Sequence, residues 1–269
     1  MTTERYSDPH YVITGPVATL LADTTGIEDS SALTAIFFLL SKSEQDNEAW
    51  NKTFMGNDKK PVFFFAERLS YDGDERGVTV GLAGWTTANG GRDTHGDFIK
   101  LAERYKRMGG LDLRAESKGL TTNKSKAKRF CATIHKLHGD YADRFVRAQF
   151  KELCSPDGYV YEAVHGLRAA GIASPSPLAV AALADTLINQ GVGGKYCALK
   201  WLREHPSKDE STLLREFLAW KRVTATKNHH NSPPINGERR ADMFKQLLEA
   251  GDMQLSRAGC ERAVRWTMK

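Results

Sequence analysis

The fold is decided by the stretch Leu33-Thr-Ala-Ile-Phe-Phe-Leu-Leu-Ser-Lys-Ser-Glu44 and the segment that follows it. Its first eight residues are almost wholly apolar, and Leu33, Ile36 and Leu40 recur at helical spacing. Glu44 continues this stripe one turn beyond the apolar part. The pattern predicts a buried helix that carries a carboxylate at its end.

The segment that follows has the pattern of short β-strands. Pro61-Val-Phe-Phe-Phe-Ala-Glu-Arg-Leu-Ser70 and Val78-Thr-Val-Gly-Leu-Ala-Gly-Trp85 flank a turn that contains Asp72-Gly73 and Arg76-Gly77. Alternating apolar residues with Gly-containing turns between them favour antiparallel strands. A small sheet, with Asp74 in its turn, is therefore predicted to face the carboxylate end of the apolar helix.

The remainder of the chain has helical periodicity. Apolar stripes run through 98–105, 134–153, 161–170 and 211–226, and a last helix is predicted over 238–250. Residues 178–188 form a second almost wholly apolar helix, which we expect to stop at Asn189-Gln-Gly-Val-Gly-Gly194. The predicted class is α+β, mainly helical, with one small antiparallel sheet in the N-terminal third.

Composition limits the class of protein. With 269 residues and 41% hydrophobic content, the chain can bury a sizeable core, as one large domain or as two lobes. No apolar run approaches the roughly 20 residues of a membrane-spanning helix, so no membrane insertion is expected. The polar start, Met1-Thr-Thr-Glu-Arg-Tyr-Ser-Asp8, has no signal-peptide core. A cytoplasmic location, another export route and a longer parent chain all stay open.

Charge and cysteine content bear on partners and cofactors. A net charge of +5 favours anionic partners. The dense basic run Lys118–Arg129 has no interleaved aromatic residues, so we interpret it as a solvated face and expect no nucleic-acid binding. The four cysteines form no CxxC pair, which leaves buried free thiols as the main expectation and disulfides as the alternative. His135 and His138 lack a third ligand, so no metal is predicted. With no P-loop or GxGxxG motif, no cofactor is expected.

Glu44 and Asp74 form a candidate acid/base pair. Hydrolysis of a glycosidic bond needs one protonated and one ionised carboxyl group. Burial at the end of an apolar helix would raise the pKa of Glu44, which suits the acid. The hydrated turn around Asp74 would keep that residue ionised as the base. Both residue types are also common as ordinary surface carboxylates.

Three neighbouring residues are further candidates. Thr79 follows Asp74 on the next strand, where it is placed to orient an attacking water or is an ordinary strand threonine. Arg76 is interpreted either as an ion-pair partner of Asp74 or as a substrate-binding residue. Glu67, on the first strand, is a rival carboxylate to Glu44 for the acid.

Asp185 lies inside the second apolar helix. A buried carboxylate is costly unless it is paired, so it requires a cationic partner. Arg222 and Arg239 are the candidates, and a structural ion pair between helices is the expected role.

The segment Asp74-Glu-Arg-Gly-Val-Thr79, followed by Gly81 and Gly84, resembles the signature of the chitosanases of glycoside hydrolase family 46. The resemblance implies that Glu44 is the acid, Asp74 the base and Thr79 the residue that orients water. It also implies that Arg76 is the motif arginine and that Asp97 binds substrate. Apart from the resemblance, Glu67 is kept as a candidate substrate-binding carboxylate.

The resemblance extends more weakly over nearly the whole chain. It implies a single catalytic domain over residues 1–269, with two lysozyme-like lobes around a cleft, and an inverting mechanism without cofactors. It further implies that Asp185 and Arg222 belong to a buried ion network that links the lobes.

The chain departs from the family at positions that bear on the substrate. Ala66 replaces a tyrosine, and the loop between Glu44 and Asp74 is longer than usual. Lys227-Asn-His-His-Asn-Ser232 stands where carboxylates that grip a cationic sugar are expected. A basic protein suits an anionic glycan, and the fold also resembles phage and goose-type lysozymes.

These departures give our first functional hypothesis, a muramidase that cleaves the β-1,4 bonds of peptidoglycan. Effectors of the type VI secretion system include such domains without signal peptides. We therefore expect an antibacterial protein secreted or delivered to the periplasm, with a polysaccharide substrate and an immunity protein as partners. The alternatives are a chitosanase and a non-catalytic glycan-binding module.

Overall fold

The computed structural model describes residues 13–44, 69–71, 77–89, 92–137, 139–227 and 235–267. Within these ranges, no helix has the length and apolar character needed to cross a bilayer. The described chain is mainly helical with short antiparallel strands, which confirms the predicted α+β class. In chain order, the elements are α1 (Gly15–Thr25), α2 (Ser30–Glu44), β1 (Leu69–Tyr71), β2 (Val78–Val80), β3 (Trp85–Thr86), β4 (Ala88–Asn89), β5 (Arg92–His95), α3 (Phe98–Arg107), α4 (Lys124–His135), α5 (Gly139–Leu153), α6 (Tyr159–Ala169), α7 (Pro177–Glu204), α8 (Glu210–Lys227), α9 (Ile235–Glu249) and α10 (Arg257–Thr267).

The chain divides into two compact units. The sheet unit contains the described residues from Glu44 to Glu152, and the helical unit contains Ile13–Ser43 together with the described residues from Leu153 onward. The single catalytic domain with two lobes around a cleft stays a prediction.

The sheet unit is built on a three-stranded antiparallel sheet in the order β1-β2-β3, beside a two-stranded β4-β5 ladder. Val78, Val80 and Trp85 are buried and belong to the core of the unit. Edge-to-face contacts continue this core between the helices, because Phe98 meets Phe130 at 5.5 Å and Tyr105 meets Phe145 at 5.0 Å between ring centroids.

The helical unit is organised around α7. The Ser176 side chain caps this helix by accepting a hydrogen bond from the Ala179 N–H at 3.2 Å, and the following residues 177–188 are buried. The predicted stop at 189–194 is wrong, since α7 continues to Glu204. A glycine in a helix interior lowers helix stability by only about 1 kcal/mol relative to alanine. The burial of Ala198 and Leu202, which follow the glycines, offsets this loss.

The cysteines are free thiols, and Cys131, Cys154 and Cys260 are buried. Desolvation raises the pKa of Cys131 and of Cys154 to about 11 and that of Cys260 to about 12. These three thiols are therefore protonated at neutral pH and act as small apolar residues, whereas Cys197 is exposed.

Candidate active site

The sequence-predicted residues divide into those the structure describes and those it does not. Asp74, Arg76 and Glu67 lie outside the described residues. Glu44 is the last residue of α2, so its place at the end of an apolar helix is confirmed, while its side chain lies outside the described part. Thr79 and Asp97 are described, and they belong to the sheet unit together with Glu44.

Position 77 in the Asp74–Thr79 motif requires glycine for a steric and a conformational reason. Gly77 adopts a φ of 71°, and a Cβ there would lie 2.5 Å from the hydroxyl oxygen of Thr87. That hydroxyl accepts the Val78 N–H at 2.9 Å, and the Thr87 N–H donates to the Val78 carbonyl at 3.0 Å. These bonds fix the start of β2 at Val78, one residue before Thr79.

Thr79 is the central residue of β2 and is half-buried. In the ladder it pairs with Ser70 of β1 on one side and with Thr86 of β3 on the other. Directly opposite residues of an antiparallel pair project their side chains from the same face. The two threonines therefore present hydroxyl groups side by side, on the face opposite to buried Val78 and Val80.

Asp97 stands directly before α3, but its carboxylate does not cap that helix. It turns to the sheet instead, where the Oδ1 atom accepts the Thr86 N–H at 2.6 Å and the Thr86 hydroxyl at 3.3 Å. Thr86 thus connects the predicted water-orienting residue, Thr79, with the predicted substrate-binding residue, Asp97.

The electrostatics of Asp97 are those of a carboxylate held by neutral donors. Desolvation raises its pKa above the ordinary 3.8, although the residue keeps exposed surface, and the bonds from Thr86 oppose that rise. Lys100 is a weaker charged influence that also lowers the pKa. In the described part of the chain, no ion pair occupies Asp97.

Gly96 sets the distance between α3 and the sheet. Its N–H donates to the Thr87 carbonyl at 3.2 Å. A Cβ on Gly96 would lie 2.0 Å from the Thr86 carbonyl oxygen and 2.8 Å from the Ala88 nitrogen, both of them backbone atoms that cannot rotate away. A residue without a side chain is therefore required immediately before Asp97.

A second turn fixes how β2 and β3 pair. Gly81 and Gly84 both have positive φ, and the Gly84 N–H donates to the Gly81 carbonyl at 3.1 Å. Buried Gln149 of α5 accepts the Leu82 N–H at 2.9 Å, and a Cβ on Gly81 would lie 2.5 Å from the same amide oxygen. The turn, and with it the Thr79–Thr86 pairing, is thus anchored to the helical layer of the unit.

Thr86 and Gln149 were not identified from the sequence. Thr86 had a usable signal, since a four-residue turn at 81–84 places it opposite Thr79. Gln149 had none, because its contact with the turn links residues 67 positions apart.

Asp185 is part of a buried ion cluster, and Arg222 as its partner is wrong. The Lys221 Nζ lies 2.7 Å from one carboxylate oxygen of Asp185, and the Arg240 Nη1 lies 3.2 Å from the other. These three side chains are at most 5% exposed. Arg222 is 54% exposed and pairs with Asp242 at 3.2 Å.

The physical reason is helical phase. The side chains of successive helical residues point about 100° apart, so a neighbouring position can reach a partner that the predicted position cannot. Asp185 is reached by Lys221, which precedes Arg222, and by Arg240, which follows Arg239. Asp185, Lys221 and Arg240 all lie in the helical unit. A link between the lobes through this cluster stays a prediction of the resemblance.

In the described ranges, no group of three or more His, Cys, Asp and Glu side chains is placed to hold a metal ion. The described face of the sheet presents the hydroxyl groups of Thr79 and Thr86 and the carboxylate of Asp97.

No family model matches the chain, but a characterised enzyme does. The chain is 30% identical over 266 residues to a chitosanase of Niallia circulans, a match that covers 93% of this chain and 81% of the relative. The chain belongs to the chitosanase family. It is a glycoside hydrolase, which confirms the enzyme class predicted from the sequence.

The fold of this hydrolase is shared with a solved family member. The glycoside hydrolase family 46 chitosanase of Gynuella sunshinyii, in complex with chitotetraose, superposes with a TM-score of 0.56 at 18% sequence identity. The match covers 85% of this chain and 92% of that chain. The predicted family 46 resemblance and the lysozyme-like α+β fold are confirmed.

Proposed function

We propose that this hydrolase cleaves the β-1,4 bonds of chitosan. The observation that carries the proposal is its relation to the Niallia circulans chitosanase over most of both chains. The Gynuella sunshinyii neighbour, which is bound to chitotetraose, supports the same substrate class. This reverses the order of our two sequence-based hypotheses, in which peptidoglycan came first.

The exposed carboxylate of Asp97 suits a sugar that carries an ammonium group. Its described partners are neutral N–H and O–H donors on Oδ1, so its negative charge is not cancelled by a cation. A charge-assisted hydrogen bond to an ammonium group is about twice as strong as a neutral one. Asp97 would therefore hold a glucosamine unit next to the hydroxyl face of the sheet.

The proposed mechanism is single-displacement hydrolysis with inversion. Glu44 protonates the leaving oxygen, and Asp74 takes a proton from the water that attacks the opposite face of the sugar. Thr79, whose place on the hydroxyl face is fixed by its pairing with Thr86, orients that water. Such a mechanism requires the carboxyl groups of Glu44 and Asp74 to stand roughly 6.5–9.5 Å apart, which leaves room for the water. Arg76 and Glu67 would complete the substrate-binding residues.

Peptidoglycan is the second candidate substrate, and the net charge of +5 favours it. A polycation such as chitosan is repelled by a basic protein at long range, whereas the peptide and lactyl carboxylates of peptidoglycan are attracted. In that case the chain would act as a muramidase delivered to the periplasm, with an immunity protein in the producing cell.

The deciding experiment compares fragments released from chitosan and from purified peptidoglycan sacculi, analysed by mass spectrometry. The wild type should release chitosan oligosaccharides, and Glu44→Gln and Asp74→Asn should each lose most of this activity. Glu28→Gln, at an exposed position of the helical unit, is the matched control and should behave like the wild type.

Release of muropeptides with intact chitosan would select the muramidase. Binding to either polymer without any fragment would select the non-catalytic module and contradict the proposed function.

A further inference from the structure

We infer that Thr86 is a positioning residue of the hydrolase, which holds Oδ1 of Asp97 so that Oδ2 is presented to the substrate beside Thr79. The inference rests on the proposed function, because Asp97 is the group that would receive the sugar. It adds a residue that neither the motif nor the family relation assigned.

The first step of the argument is that both donors of Thr86 act on one oxygen. The backbone N–H lies 2.6 Å from Oδ1 and the hydroxyl oxygen 3.3 Å from it. Both bonds from Thr86 end on Oδ1, and no bond from another described neighbour is made to Oδ2. A carboxylate gripped at one oxygen keeps the two acceptor sites of the other oxygen for an incoming donor.

The second step is that Thr86 cannot move independently of Thr79. The two residues are directly paired in the β2-β3 ladder, and the neighbouring pair of Val80 and Trp85 is buried. The turn that connects the strands is anchored to Gln149 through Leu82. The position of Asp97 is therefore fixed relative to the same strands that hold Thr79.

The third step is that α3 is docked onto Thr86 at its backbone. Gly96 packs against the Thr86 carbonyl so closely that a Cβ would lie 2.0 Å from it. Asp97 therefore approaches Thr86 from a fixed direction, with Phe98 buried behind it. Backbone packing and the Thr86 N–H bring the carboxylate near, and the hydroxyl adds the second bond that sets its rotation.

The test separates this role from ordinary packing. Thr86→Val keeps the shape and the backbone N–H but removes the hydroxyl. We expect it to raise KM for chitosan oligosaccharides about threefold to tenfold, the effect of one hydrogen bond, with kcat within about twofold of the wild type. Thr86→Ser, which restores the hydroxyl, should return KM to near the wild-type value.

A double-mutant cycle shows whether Thr86 acts through Asp97. In an Asp97→Ala background, Thr86→Val should have no further effect on KM. The matched control is Thr133→Val on α4, where the hydroxyl donates to the Arg129 carbonyl of the same helix at 3.2 Å, and KM should not change. Additive effects in the cycle, or an unchanged KM in Thr86→Val, would overturn the inference.

A readout independent of turnover distinguishes this inference from the proposed function. The pKa of the Asp97 carboxyl, measured by NMR, should be higher in Thr86→Val than in the wild type and restored in Thr86→Ser, because the hydroxyl stabilises the ionised form. If the wild type cleaves neither polymer, the proposed function fails. The pKa comparison still tests the positioning role in that case. An Asp97 pKa that is unchanged in Thr86→Val contradicts the role.

Discussion

Two aspartates of this hydrolase are held in opposite ways. Asp185 is enclosed in the helical unit, with the Lys221 ammonium at 2.7 Å from one oxygen and the Arg240 guanidinium at 3.2 Å from the other. Asp97 lies at the surface of the sheet unit, and its carboxylate accepts two hydrogen bonds from one neutral neighbour, Thr86. One carboxylate is neutralised by its own protein, and the other is left with its charge.

The difference shows what each residue contributes. A buried carboxylate with a cation on each oxygen has no acceptor left for a ligand, and its removal takes away the anion that two buried cations share. An exposed carboxylate with neutral donors on one oxygen contributes little to folding and retains an acceptor for an external cation. Stability and recognition are therefore expected to separate between the two sites.

The largest effect should come from breaking the buried cluster. Asp185→Ala leaves Lys221 and Arg240 buried without their carboxylate, so the free energy of unfolding should fall by about 3–5 kcal/mol. Thermal or denaturant unfolding measures this directly. The matched control is Arg222→Ala, which removes an exposed ion pair with Asp242 and should change stability by no more than about 1 kcal/mol. Equal losses in the two variants would contradict the distinction.

A steric change should have the next largest effect. Gly96→Ala forces a methyl group against the Thr86 carbonyl and the Ala88 nitrogen, so we expect a loss of about 1–3 kcal/mol together with most of the activity. Gly139→Ala is the control, because nothing lies within 4 Å of its added Cβ and only its φ of 52° is unfavourable. If Gly96→Ala is no less active than Gly139→Ala, then α3 is not docked in the described way.

The smallest effect is a pH dependence of stability at Asp97. Its folded-state pKa is raised above 3.8, so the folded protein binds the proton more tightly than the unfolded chain does. The contribution is fully present below pH 3.8 and is lost as the pH rises through the folded-state pKa.

Asp97→Asn should therefore match or slightly exceed the wild-type melting temperature at pH 7 and lose this advantage below pH 3.8. Melting curves across this range measure the difference. A variant that is less stable than the wild type at neutral pH would show that the ionised carboxylate supports the fold.

The sequence predicted well what depends on local pattern. The apolar run in α2, the alternation around Thr79 and the buried start of α7 each gave the correct element. The predicted end of α7 was wrong because glycines inside a helix are tolerated when buried residues on both sides, such as Leu187 and Ala198, hold it in place.

The local sequence pattern did not identify interaction partners that are far apart in the chain. Asp185 was correctly expected to need a cation. Choosing Lys221 over Arg222 requires knowing which side of α8 faces α7. Thr86 was accessible in principle from the register of the β2-β3 turn. Its bonds to Asp97 depend in addition on how Gly96 docks on the sheet.

The most direct test of the central claim, that Asp97 is an open carboxylate which meets a cationic sugar, is the KM of Asp97→Asn for chitosan oligosaccharides at neutral pH. The exchange is nearly isosteric and keeps an oxygen for Thr86. We expect KM to rise at least about tenfold, the effect of a hydrogen bond to a charged group, while the melting temperature stays at or above the wild-type value. An unchanged KM, or a rise in KM that accompanies loss of the fold, would contradict the account.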